Sequence, residues 1–143
     1  MHELSASEVI ALLGLEPHVE GGYFRQTFAD QPDADGRPTS TLIYYMLTDH
    51  QAGAWHRVVD AAEIWHWYAG APLTLSISTD GTTVTSLLLG SDLASGQRPQ
   101  GVVPRGAWQR ARVEGAWVLV GCTVAPGFQF SKFVQAEPGW EPG

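Results

Sequence analysis

Basic residues are scarce in this chain. Eight lysines and arginines stand against fifteen aspartates and glutamates, a formal net charge of -7 over 143 residues. A surface of that sign repels phosphate backbones and anionic headgroups, which disfavours nucleic acid and membranes as partners. Cysteine is nearly absent. The single Cys122 lies in the apolar run WVLVGCTV, with no disulfide partner in the chain, and this fits a reducing compartment. Long apolar runs are missing as well: nothing approaches the roughly 18 residues of a membrane span. The start, MHELSASEVIALLGL, has neither the basic beginning nor the apolar centre of a secretory signal, so the expected location is cytoplasmic. A chain of this length is read as one domain over 1–143 that buries its core without a disulfide or metal staple.

Helix signals are confined to the first 14 residues. Ser5 and Glu8 have capping-box spacing, Val9, Ile10, Leu12 and Leu13 follow, and Gly14 ends the pattern, so a short helix is predicted over 5–13. Beyond it, strand-like runs fall at 23–29, 39–47, 54–58, 63–69, 73–79, 82–89, 101–103, 108–113, 116–124 and 128–134. Asp80-Gly81 between β-branched runs predicts a two-residue hairpin, and Pro104 to Gly106 and Pro126-Gly127 mark further turns. Residues 30–38 and 91–100 read as polar loops. Many short strands in one small domain imply an all-β sandwich or barrel.

The chemistry gathers in GAWHRVVDAAEIWHWYAG, residues 53–70. Period-two alternation puts Glu63, Trp65 and Trp67 on one face and Ile64, His66 and Tyr68 on the other. A carboxylate among tryptophans is costly unless it is a ligand, an acid or base, or the partner of a basic group such as Arg25 or Arg57. In PHVEGGYFRQTF, residues 17–28, Gly21 and Gly22 permit a sharp turn or a close backbone approach. Tyr23 and Arg25 share a face, so both point inward or neither does.

The segment 53–70 resembles the first motif of the cupin superfamily: Gly, a gap, His-x-His, three or four residues, Glu, six residues, Gly. His56, Glu63 and Gly70 match, and Val58 stands in the place of the second histidine. Pro104-Arg-Gly106-Ala-Trp-Gln109 is similar to the second motif, with glutamine in place of the last metal-binding histidine. PHVEGGYFRQTF, STLIYYML, WHRV, EIWHWYAG, VVPRGAWQ and CTVAPGFQFSKF look like one subgroup, the small cupins once labelled domain of unknown function 985 and now called cupin 5. The resemblance spans about residues 9–134. It implies a single-domain jelly-roll β-barrel with a short N-terminal helix, an internal pocket and a homodimer.

The same resemblance implies catalytic candidates His56, Glu63 and Tyr23. It places Glu20, Arg25, Tyr45, Trp65, Trp67, Gln109, Phe128 and Phe130 near a ligand, with His18 at the rim. His56 and Glu63 are the weak metal candidates, because valine cannot ligate and an amide oxygen is a poor donor for a transition metal. No cofactor is expected beyond a weakly held divalent ion. His2 and His50 read as solvent-facing. Three functions remain open: a module binding a small polar organic molecule in an aromatic-lined pocket, a metal-free enzyme similar to the cupin-fold sugar epimerases and isomerases, and a metal-dependent oxygenase or isomerase. Enzyme status stays open.

Overall fold

A computed structural model describes residues 3–143. Its helix α1 (Ala6–Leu13) begins as the capping box predicts: the Glu8 N–H donates to the Ser5 hydroxyl at 3.2 Å, and the Ser5 N–H donates to the Glu8 carboxylate at 3.0 Å. Gly14 ends it in the left-handed conformation at φ +67. Val9 is buried with Leu15 and Met46, so the helix lies on the outside of a sheet with its apolar face covered. Among the described residues no helix is long and apolar enough to cross a membrane.

The remaining elements are strands: β1 (Glu16–Pro17), β2 (Tyr23–Ala29), β3 (Thr41–Thr48), β4 (His56–Val58), β5 (Ala62–Gly70), β6 (Leu73–Ser78), β7 (Thr85–Leu89), β8 (Gln100–Val103), β9 (Trp108–Val113), β10 (Trp117–Ala125) and β11 (Phe133–Gln135). They form two antiparallel sheets, one in the order β1-β2-β3-β10-β5-β8 and the other in the order β11-β4-β9-β6-β7. Side chains alternate across each sheet, and the inward set packs between them. Leu47, Leu73, Leu75, Leu89, Val118 and Val120 are wholly shielded from solvent there. Burying each such side chain stabilises the fold by about 1.5–3 kcal/mol. This packing fills one end of the sandwich. At the other end Val58, Ala61 and Val124 form a smaller cluster with Phe128, and a cavity opens beside it.

Two sequence expectations change. The Asp80-Gly81 turn is not a two-residue hairpin, because the Asp80 carboxylate accepts from the N–H groups of Thr82 and Thr83, both at 2.8 Å. These bonds hold the chain in a wider loop, and β6–β7 pairing begins only at Ile77 opposite Thr85. The run 128–134 is not one strand either. Phe130–Lys132 form a 3-10 turn, closed by the Lys132 N–H donating to the Gln129 carbonyl, and only then does β11 pair with β4. That turn brings Phe128, Phe130 and Phe133 into mutual edge contact, which strict alternation would not allow.

Candidate functional site

Gly21 and Gly22 shape the lip of the cavity. Both have positive φ, +97 and +79, and the chain doubles back so that the His18 N–H donates to the Gly22 carbonyl at 2.9 Å. A Cβ on Gly22 would stand 2.5 Å from the Met46 carbonyl oxygen, so only glycine fits there. The buried Tyr45 hydroxyl fastens the loop from behind by donating to the Gly21 carbonyl at 2.7 Å. Held this way, the loop delivers His18 and Glu20 to the cavity, and Glu20 is 9% exposed.

The cavity has a volume of about 110 Å³. His56 and Val58 reach it from β4, Glu63 from β5, Cys122 and Val124 from β10, Thr41 and Ile43 from β3, and Phe24 and Gln26 from β2. Phe128, Phe130 and Phe133 come from the C-terminal segment. One part of the wall is therefore aromatic and aliphatic. The rest carries two histidines and two carboxyl groups.

His56 is buried and tightly held. Its Nδ1 lies 2.8 Å from Glu20 Oε2 and 2.9 Å from the Ala54 carbonyl oxygen, and its ring stacks on Phe133 at 5.4 Å. One N–H cannot be aimed at both oxygens. It is aligned with the carbonyl, so the carboxylate acts as a close counter-charge whose Oε2 receives no aligned hydrogen bond. Burial alone pulls the His56 pKa down, but the Glu20 carboxylate beside it and the Glu63 charge outweigh that effect and lift it to about 9. His56 is thus an imidazolium at neutral pH. His18 behaves in the opposite way: burial lowers its pKa despite Glu20, and its Nδ1 accepts the Glu20 N–H at 3.1 Å. His18 is the neutral member of the pair.

Glu63 is fixed by a relay. The Trp65 indole N–H donates to Gln109 Oε1 at 2.8 Å, which turns the amide so that its NH2 group donates to Glu63 Oε1 at 2.9 Å. Burial raises the Glu63 pKa, partly opposed by His56 and reinforced by Glu20. Burial also pushes the adjacent Cys122 thiol well up.

The sequence candidates therefore separate. His56, Glu63, Glu20, His18, Phe128 and Phe130 line the cavity. Gln109 and Trp65 stand behind Glu63, and Tyr45 stands behind the loop. Trp67 packs against the main core and donates to the Ala71 carbonyl at 2.9 Å. Tyr23 and Arg25 share a face as expected, but it is the face turned to α1: Tyr23 packs with the helix cluster, and Arg25 Nη1 donates to the Leu13 carbonyl at 3.1 Å.

Of the alternatives open for Glu63, an ion pair with Arg25 or Arg57 is not formed, and Gln109 donates to it instead. Arg57 lies on the opposite face of β4 from His56, its guanidinium 4.9 Å from the Trp108 ring centre. His66 faces away from Glu63 and bonds Thr123, and His50 is exposed in a turn. His2 lies outside the described residues. Phe24, Gln26, Thr41, Cys122 and Phe133 are lining residues that sequence reasoning missed. For Phe24 and Gln26 the signal was present, since an unpaired Arg25 facing an apolar interior would be the costlier of the two alternatives.

Among the described residues no three His, Cys, Asp or Glu side chains converge to hold a metal ion. The donor chemistry points the same way. His56 Nδ1 is taken up by Glu20 and the Ala54 carbonyl oxygen, Gln109 Oε1 already accepts from Trp65, and Val58 occupies the remaining motif position.

The family model for the Cupin superfamily (DUF985) matches residues 7–136. A crystal structure of a protein from Shewanella oneidensis is 34% identical, covering 94% of this chain and 86% of that one, with a TM-score of 0.89. A hypothetical protein from Leishmania major is 27% identical over 92% of this chain and 86% of its own, with a TM-score of 0.81. An oxalate oxidase in complex with the substrate analogue glycolate shares the fold at 14% identity and a TM-score of 0.61, over 82% of this chain and 56% of that one. No curated protein matches.

Proposed function

This chain belongs to the cupin 5 family of the cupin superfamily, and from that premise we propose that it is a small-molecule-binding cupin whose ligand sits in the cavity at the open end of the sandwich. One observation carries the reading: His56, 2.8 Å from the Glu20 carboxylate, and Glu63 line one cavity that is otherwise walled largely by phenylalanine and aliphatic side chains. Burying three ionisable groups beside an open space is costly for a purely structural core and useful for orienting a ligand.

A second reading is favoured by the Glu20–His56 contact. A carboxylate at Nδ1 sets the ring orientation and leaves Nε2 as the nitrogen for proton exchange, which a metal-free epimerase or isomerase requires. Against it stands the lack of a phosphate anchor: among the described residues no lysine or arginine lines the cavity. A metal-dependent oxygenase or isomerase ranks last because of the donor chemistry, and any divalent ion is no more than weakly held. A two-fold dimer belongs to the same proposal, supported by an apolar groove beside α1 lined by Leu13, Leu42, Tyr44, Tyr68 and Leu119. So does a cytoplasmic location, supported by the single buried free thiol of Cys122.

Screening small organic molecules by NMR tests the main reading. Binders should shift the amides of Thr41, Cys122, Val124 and Phe133 together. Shifts confined to the outer faces of the sheets overturn it.

A further inference from the structure

Two carboxyl groups, Glu20 and Glu63, line the cavity, and among the described residues no lysine or arginine side chain does. Glu20 is the one in contact with His56, at 2.8 Å, while Glu63 takes its donor from Gln109. Nearby arginines are engaged elsewhere. Arg37 forms a two-bond pair with Asp60, Arg25 caps the Leu13 carbonyl, and Arg57 lies over Trp108 on the far side of β4.

Hydrogen-bond supply is equally one-sided. Glu20 Oε2 receives no aligned donor although the residue is 9% exposed, because the His56 Nδ1–H is committed to the Ala54 carbonyl. Its other oxygen lies 3.9 Å from His18 Nδ1, a nitrogen already accepting the Glu20 N–H. A buried carboxylate oxygen without an aligned donor is costly, and a ligand that brings one relieves the cost. The same cavity is lined by Phe24, Phe128, Phe130 and Phe133, and aromatic ring faces attract cations. A ligand carboxylate or phosphate would instead bring a negative group up to the Glu20 carboxylate where screening is weak.

We infer that the cavity is an amine site: its ligand is a small organic ammonium whose N–H groups go to the Glu20 carboxylate and whose apolar body lies among the four phenylalanines. The inference rests on the cavity being a ligand pocket, as proposed above, and names the ligand class. The cavity, about 110 Å³, is of the order of the roughly 150 Å³ that takes up a benzene ring. Benzylamine has a skeleton of that size.

The test is calorimetric titration of the full chain at neutral pH with benzylamine, benzyl alcohol and benzoate, three probes that share a ring and differ in the polar end. Benzylamine should bind at least tenfold more tightly than benzyl alcohol, and benzoate should bind most weakly. Glu20→Gln, checked for folding by circular dichroism, should lose tenfold or more in benzylamine affinity while benzyl alcohol changes less than twofold. The wild-type comparison decides the matter even where that variant does not fold. Benzyl alcohol or benzoate equalling benzylamine overturns the amine assignment while leaving the cavity as a ligand pocket. An amine preference that survives Glu20→Gln also overturns it. Failure of all three probes to bind overturns the assignment too, and the fate of the pocket itself then rests on the NMR screen.

Discussion

Raising the pH should destabilise this protein chiefly through one residue, His56. Its pKa rises from 6.5 in the unfolded chain to about 9 in the folded state. A group whose folded value is raised stabilises the fold fully below its unfolded value, and that contribution disappears as pH climbs through the folded one. At about 1.4 kcal/mol per pH unit, the His56 charge stabilises the fold by about 3 kcal/mol at pH 6.5, and this is lost by pH 9.5. Other groups define the window. His18, lowered by burial, weakens the fold only as pH falls below about 6.5. Cys122, pushed well up by burial, adds to the loss only as the unfolded thiol ionises at about pH 9, and Tyr45 only at about pH 10, so the fall below about pH 8.5 belongs to His56. Glu63, raised by burial, acts in the same direction as His56 but starts from the carboxylate range. Urea denaturation at fixed pH between 6.5 and 9.5 measures the effect, and thermal melting should show a fall of about 6–12 °C for a domain of this size. His56→Gln should flatten the profile. A wild-type profile that is flat over this window, or an unchanged slope in His56→Gln, refutes a cationic His56.

Gly22→Ala should cost about 2 kcal/mol or more, because φ is +79 and the added Cβ meets the Met46 carbonyl oxygen; a change below about 0.5 kcal/mol in urea denaturation contradicts the role given to that loop. Gln109→Met removes the acceptor of the Trp65 indole and one donor to Glu63, leaving the buried indole unpaired and Glu63 with the Cys122 thiol alone, so a loss of about 2 kcal/mol or more is expected in the same assay. Prolonged chelation of protein purified without an affinity tag should leave the melting temperature unchanged, and stoichiometric metal surviving that treatment would mean that the donor chemistry is misread. Light scattering should report a dimer, and a concentration-independent monomer contradicts the expected association.

What the sequence reveals here depends on how local the cause is. The helix was legible because Ser5, Glu8 and Gly14 act within a few residues of one another. The inward face of β5 was legible because alternation ties Glu63 to Trp65 and separates both from His66. For β2 alternation left two choices, and the decision came from α1, which covers the outer face and takes Arg25 with it. The width of the Asp80 loop was hidden in side-chain bonds to Thr82 and Thr83 that compete with the tight turn. His56 and Glu63 could be read from their motif spacing. The Glu20–His56 contact links a loop to a strand 36 positions away, and it depends on the β2–β3 register and on Tyr45 holding Gly21. No local pattern encodes it, and the charge state of His56 follows from it.

The measurement that bears most directly on the central claim is a crystal structure of the protein saturated with a molecule found in the NMR screen. The account predicts ordered density inside the cavity, with a ligand polar atom about 3 Å from Glu20, His56 or Glu63 and the ligand body against Phe128 and Phe133. A ligand seated on the outer surface, with only water in the cavity, would contradict it.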